Sequence, residues 1–430
     1  MSEEQPQPII NPTLEKPKRN WKKISLILLI ALFVISLIGV GLYILIPKLT
    51  QEPPSQTQKQ ATPSAKPQKE KTHPLKNKII YSMDVIRENG FDKDIYAMNP
   101  DGSGEIKIFD LEPSDNTKIA SKITLSPKNT YLAWIIDTSI YYIKLNKTTQ
   151  NLAGKIGPID NISRPQLWSY SFSPDERKIA VLIGEDENTQ KGTYTSLRVK
   201  VLEFPSGQLI NDFYTARGSG GPDETIPGHK NSSPAWVDNS TIIVYTREKP
   251  NNYFASYDIH NGIASKKKII KAWGWFDINQ SKKKIVYTQS NNGGLEVLLA
   301  NIDGSNKKMV SNLSSPVVPT IKFSPNGKFL IFCQYDGKSV NLHLVDLIKN
   351  YESKNACKEG EWNFFVWSPD SDELLVELLG YDVDNKYPPE LLTKLSRVGL
   401  DGKVVKDLTT FAIYNSEIGS IQYELVGWIY

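Results

Sequence analysis

From about residue 77 to the C-terminus, short apolar runs alternate with compact polar turns. Tyr131-Leu132-Ala133-Trp134, Ile179-Ala180-Val181, Phe329-Leu330-Ile331-Phe332 and Leu374-Leu375-Val376 are nearly continuous apolar runs rich in β-branched and aromatic residues. Such runs predict strands covered on both faces. Each is preceded by the same punctuation: Leu125-Ser126-Pro127-Lys128, Phe172-Ser173-Pro174-Asp175, Phe323-Ser324-Pro325-Asn326 and Trp367-Ser368-Pro369-Asp370. Pro followed by Asp, Asn or Lys predicts a tight reversal between two strands. Two degraded copies, Trp236-Val237-Asp238-Asn239 and Phe276-Asp277-Ile278-Asn279, precede Ile242-Ile243-Val244 and Ile285-Val286-Tyr287.

A second signal follows each of these. Asp94 to Asn99 leads into Asp101-Gly102-Ser103, Leu299 to Ile302 into Asp303-Gly304-Ser305, and Ser396 to Leu400 into Asp401-Gly402-Lys403. Ser206-Gly207 and Asn261-Gly262 hold the same place elsewhere. These dipeptides supply the positive φ that a short hairpin needs. The repeated unit is therefore four antiparallel strands over about 40–60 residues, the period of a β-propeller blade. The inner-strand signal occurs near 126, 173, 236, 276, 324 and 368, and again in Leu425 to Tyr430. The first blade begins directly with Lys78-Ile79-Ile80-Tyr81, without an inner strand before it. The expected fold is all-β: a seven-bladed propeller closed by the C-terminal strand, with six or eight blades as alternatives. A two-sheet sandwich does not require the repeated pair of turns.

The stretch Asp94-Ile95-Tyr96-Ala97-Met98-Asn99-Pro100-Asp101-Gly102-Ser103 and the Ser-Pro-Asp turns resemble the TolB-like, WD-type propeller repeat, over residues 77–430. The repeat is also similar to the propeller domains of prolyl-oligopeptidase-type proteins. The α/β domain that precedes the propeller in TolB relatives does not fit here, and the hydrolase domain of the peptidases is missing. No Gly-x-Ser-x-Gly elbow occurs, and Gly218-Ser219-Gly220-Gly221 is a loop between blades. The resemblance implies a fold, and a protein partner at the cell envelope, but carries over no contact residue.

The N-terminal part differs in kind. Ile24 to Ile46 is 23 residues without a charge. At about 1.5 Å per residue it spans roughly 34 Å, enough for a bilayer core of about 30 Å. The run is too long for a cleaved signal peptide and no Cys follows it, so an uncleaved signal anchor is expected. Lys16, Lys18, Arg19, Lys22 and Lys23 precede it and predict a cytoplasmic tail over 1–23 and an extracytoplasmic body. Residues 47–76, with six Pro between Pro47 and Pro74, read as an extended stalk. Net charge is +4 for the chain, but residues 1–75 carry +5 and the rest −1. A basic body suited to nucleic acid is thereby excluded.

Candidate chemistry is sparse. His73, His229, His260 and His343 lie far apart, without metal-ligand spacing, and no cofactor site is expected. Cys333 and Cys357 fall on the second and fourth strands of one blade, about 9.6 Å apart and beyond disulfide reach. Asp382, Asp384 and Asn385 lack the remaining ligands of a calcium loop. Asp101, Asp175, Asp238, Asp303, Asp370 and Asp401 are turn residues, and the tryptophans are core, with one or two able to line an axial pocket. The long segment Thr215 to Ser233 holds Arg217, Asp223, Glu224, His229 and Lys230. It is the candidate partner-contact loop. The functional expectation is a membrane-anchored, extracytoplasmic, non-catalytic scaffold or sensor for a protein or ligand. The alternatives are a propeller-based hydrolase or lyase with an axial site, or a regulatory subunit of a separate protease.

Overall fold

The computed structural model describes residues 75–429 apart from 88–89, 115–120, 147–150, 160–164, 190–191, 217–232, 249–250, 261–264, 272–273, 292–293, 314–319, 336–339, 350–351, 358–360, 382–390, 413 and 416–418. The tail, the span Ile24 to Ile46 and nearly all of the stalk lie outside the described residues. Among the described residues no helix is long and apolar enough to cross a membrane.

Seven four-stranded antiparallel blades follow one another, each laid out from an inner strand to an outer one. Blade 1 has Gly419–Trp428 as its inner strand, then Ile79–Arg87, Gly90–Met98 and Ile106–Ser114. Blade 2 is Ser121–Leu125, Tyr131–Ile136, Ser139–Lys144 and Leu152–Ile156; blade 3 is Pro165–Phe172, Lys178–Thr189, Gly192–Glu203 and Leu209–Ala216. Blade 4 is Ala235–Trp236, Thr241–Glu248, Asn251–Asp258 and Ser265–Lys271; blade 5 is Phe276–Asn279, Lys284–Asn291, Gly294–Asn301 and Lys308–Leu313. Blade 6 is Ile321–Phe323, Phe329–Tyr335, Val340–Asp346 and Glu352–Cys357; blade 7 is Glu361–Trp367, Glu373–Tyr381, Leu391–Gly399 and Val404–Ala412. A single parallel bridge, Ala216 to Arg247, joins the sheets of blades 3 and 4.

The apolar runs are continuous because alternate residues serve different neighbours. Ile179, Val181 and Ile183 pack toward blade 2, while Ala180 and Leu182 pack toward blade 4. Among the described residues, seven such clusters occur, one for each successive pair of blades. The seventh joins Leu375 and Leu395 of blade 7 to Ile79, Tyr81 and Leu425 of blade 1, so the ring is closed. Burying one Ile or Leu fully stabilises by about 1.5–3 kcal/mol.

Closure uses both ends of the body. Trp428 pairs with Ile79 and Gly427 with Ile80. Asn77 N–H donates to Ile429 O at 3.0 Å, and Ile429 N–H to Lys78 O at 2.9 Å. Leu75 is fully buried in the cluster between blades 1 and 2, so core packing reaches into the last residues read as stalk.

The Ser-Pro turns also lock blade to blade. Lys128 N–H donates to the Glu176 carboxylate at 2.7 Å, Asp175 N–H to Asn239 Oδ1 at 3.0 Å, and Asn326 N–H to Ser371 Oγ at 3.0 Å. Glu176 and Ser371 hold positive φ, which aims each side chain at the preceding blade. In blade 5 the register differs from the sequence reading. Asn279 pairs with Lys284, and its Oδ1 accepts from Ser281 Oγ and Lys282 N–H. Asn279 therefore holds the serine position, and Asp277 lies two residues inside the strand. An Asn side chain can accept the local backbone bond that Ser accepts elsewhere, so the turn survives without Ser-Pro.

Candidate functional site

Strands run alternately up and down, so each blade's first–second and third–fourth turns fall on one face. The second–third hairpins and blade crossovers fall on the other. We call these the turn face and the crossover face. Arg217, Asp223, Glu224, His229 and Lys230 lie outside the described residues. Their segment leaves the outer strand of blade 3 at Ala216 and returns to the inner strand of blade 4 at Ala235, so it is a crossover. The hairpin at 189–192 in blade 3 and the segment 382–390 in blade 7 leave strand ends on that same face. The blade 3 strands pair as far as Thr189 with Gly192.

On the turn face a cleft of about 420 Å³ opens at the seam between blades 7 and 1. Lys76, Asp370, Asp372, Glu373, Arg397 and Trp428 give it its character. The Arg397 guanidinium donates from Nε to Glu373 Oε2 at 2.7 Å and from Nη1 to the Pro100 carbonyl of blade 1 at 3.1 Å. It also stands 6.0 Å from the centre of the Trp428 ring. Both members of the ion pair are about four-fifths buried, with 21% and 18% side-chain exposure. Arg397 thus acts as a clasp across the closure. The cleft is left with Lys76 and Asp370 for polar contacts; Asp372 accepts from Ser368 Oγ at 2.8 Å. Of the tryptophans read as core or axial, Trp134, Trp236 and Trp367 are buried between blades, and Trp428 lines this seam cleft rather than the axis.

Toward the axis, inner-strand edges are capped by neighbouring side chains. Phe323 N–H donates to Asp277 Oδ2 at 2.8 Å, and Lys322 pairs with the same carboxylate at 3.3 Å. Trp236 Nε1 donates to Ser171 O at 3.1 Å, and Ser171 Oγ to Pro234 O at 2.5 Å.

Sequence reading missed a titratable cluster on blade 1. Lys107 bridges Asp94 and Asp110 at 2.9 Å each, and Tyr96 OH donates to Asp94 at 3.1 Å. Tyr81 stacks on Tyr96 at 5.6 Å and donates to Glu105. Burial raises the Asp94 carboxyl pKa against the opposing pull of Lys107 and Tyr96. Burial, with the Asp94 charge, pushes the Tyr96 phenol up to about 12. At neutral pH the phenol is a proton donor to Asp94 and not a base. Sequence spacing offers no signal for this group, because its members come from adjacent strands.

His260 is exposed and pairs with Asp258 at 2.6 Å; His343 stacks on Phe332 at 4.9 Å, and burial lowers its pKa. Among the described residues no group of three His, Cys, Asp or Glu is placed to hold a metal ion. Cys333 is buried outside any disulfide, and both Cys333 and Cys357 pair with Leu342 from opposite sides, two strands apart.

No protein-family model and no curated protein matches the chain. Among solved structures, an oligogalacturonate lyase in complex with manganese superposes with a TM-score of 0.51 at 11% identity, covering 75% of this chain and 92% of the lyase. The C-terminal WD40 domain of Sif2 gives 0.48 at 13% identity, covering 75% of this chain and 79% of that one. TolB from Acinetobacter baumannii gives 0.40 at 12% identity, covering 81% and 82%. At such identities likeness shows the fold alone. The chain is a seven-bladed β-propeller whose structural neighbours include TolB, a WD40 domain and a lyase.

Proposed function

We propose that this protein is a membrane-anchored, extracytoplasmic propeller serving as a non-catalytic scaffold or sensor for a protein or peptide at the cell envelope. One observation carries the reading: the ring is sealed by its own two ends, through Ile79–Arg87 paired with Gly419–Trp428. A closed ring holds the ends of its crossovers and hairpins in fixed positions. Contact loops mounted on such a body lose less freedom on binding, so more of the contact energy appears as affinity. The charge-free run Ile24 to Ile46 and the basic residues before it support the anchoring.

The partner contact is assigned to the crossover segment with Arg217, Asp223, Glu224, His229 and Lys230. A photo-crosslinking residue in place of His229, activated in intact cells, tests it. Recovery of one protein adduct, lost when Arg217 and Lys230 are both changed to Ala, is the expected result. No specific adduct from this position or from the neighbouring crossover-face hairpin at 190–191 would defeat the scaffold reading.

A further inference from the structure

The body carries a net charge of −1. Lys267 of blade 4, Lys282, Lys283 and Lys307 of blade 5, and Lys328 of blade 6 are all exposed. Contacts between their segments make them one patch. Ile302 N–H donates to Lys283 O at 3.1 Å, which ties the two turns of blade 5 together. A Cβ on Gly304 would stand 2.7 Å from Ile269 O, so this turn abuts the outer strand that carries Lys267. A Cβ on Gly327, beside Lys328, would meet the Lys282 side chain at 3.0 Å. Lys307 Nζ donates to the neutral Gln289 at 2.8 Å, and none of the five forms a salt bridge among the described residues. Two acidic residues lie among them: Asp303, its Oδ1 engaged by Ser305 and its charge felt by Lys267, and Asp346, which pairs with Phe329 beside Lys328. Lysines on an outer strand have a duller use, since they keep sheet edges from pairing. That use covers Lys267 but not Lys282, Lys283 or Lys328, which sit in turns.

The patch lies on the turn face, which is also where the chain enters the body. Lys76 and Asn77 line the seam cleft with Pro100 and the Ser368-Pro369-Asp370 turn. Residues 47–74, 28 in number, separate that entry from the end of the apolar run. As a flexible coil they reach roughly 30 Å, and as polyproline II roughly 90 Å. Both lengths let the turn face meet the bilayer.

We infer that the turn face of blades 4 to 6 docks on anionic lipid headgroups of the leaflet to which the chain is anchored. This rests on the membrane reading above. A lysine near an anionic leaflet strengthens attachment about fivefold, and added salt removes that gain. Five lysines, gathered on blades 4 to 6, would tilt the body onto its turn face and leave the crossover face outward.

The test uses the full chain in lipid nanodiscs, either of phosphatidylcholine alone or with phosphatidylglycerol, and reads amine labelling by mass spectrometry. Labelling at Lys267, Lys282, Lys283, Lys307 and Lys328 is expected to fall about fivefold in the anionic discs and to recover in high salt. Lys403, 84% exposed in the third–fourth turn of blade 7, is the internal control and should not change. Changing Lys282→Glu and Lys283→Glu together should abolish the protection while leaving the melting temperature unchanged. Equal labelling in both discs, or equal protection of Lys403, would overturn the inference. So would protection by soluble polyphosphate without protection by the discs, which would assign the patch to a polymer. Failure of the full chain to enter discs at all would instead overturn the anchoring on which the inference depends.

Discussion

The inner turns at Ser126, Ser173, Ser324 and Ser368 depend on a hydroxyl that water does not reach. Ser173 Oγ accepts from Lys178 N–H at 2.9 Å and donates to Asp175 at 2.6 Å; Ser324 and Ser368 repeat the arrangement with Asn326 and Asp372. The third–fourth turns use an exposed carboxylate in the same manner. Asp101 and Asp303 each accept from the N–H and the hydroxyl of the serine two residues on, at 2.9 and 2.6 Å. These bonds favour the charged form and lower both pKa values below the ordinary 3.8. A carboxyl with a depressed folded pKa adds stability that is complete above its unfolded pKa and is lost as pH falls through the folded one. Stability should therefore decline below about pH 4. Asn can accept the same N–H bond without titrating, so the double change Asp101→Asn, Asp303→Asn should flatten that acid limb. Melting temperatures of the two proteins between neutral and acid pH measure it, and parallel curves would contradict the assignment.

Among the strand connections, the Asp-Gly turns serve two purposes, of which only one follows from local chemistry. Gly102 has φ +82°, as a short hairpin needs. A Cβ there would also stand 2.9 Å from Leu408 O in the outer strand of blade 7. Gly304 repeats this against Ile269 O of blade 4. The glycine thus lets these two blades' turns lie against the backbone of the preceding blade. Gly102→Ala meets both the positive φ and a backbone oxygen that cannot rotate away. It should cost about 1–3 kcal/mol, read as a lower denaturant midpoint at unchanged slope. An unchanged midpoint would mean that blades 7 and 1 are not in contact there. The blade 5 inner turn shows the limit of a motif search. Its asparagine at 279 performs the serine's part, and only strand register reveals it.

For the molecule as a whole, the ring is a single cooperative object because blade 1 is completed by the last strand. Removing residues 419–430 would strip Ile79 and Tyr81, each at most 1% exposed, of their inner neighbour and break the seventh cluster. Such a chain should bind a hydrophobic dye and lose its sharp thermal transition; a native-like transition would refute closure by the terminal strand. The blade count and this closure were legible beforehand, because turn residues and doubly covered strands leave local marks that repeat with each blade. The span, its orientation and the contact role of the charged crossover segment rest on composition and order alone, and their residues lie outside the described ones. Other features could come only from the folded chain. The Arg397 clasp joins residue 397 to residue 100, the blade 1 titratable cluster spans three strands, and the lysine patch collects residues from three blades. Local propensity acts between residues near in sequence, whereas these groupings arise from which blade edge meets which, and the register of closure sets that.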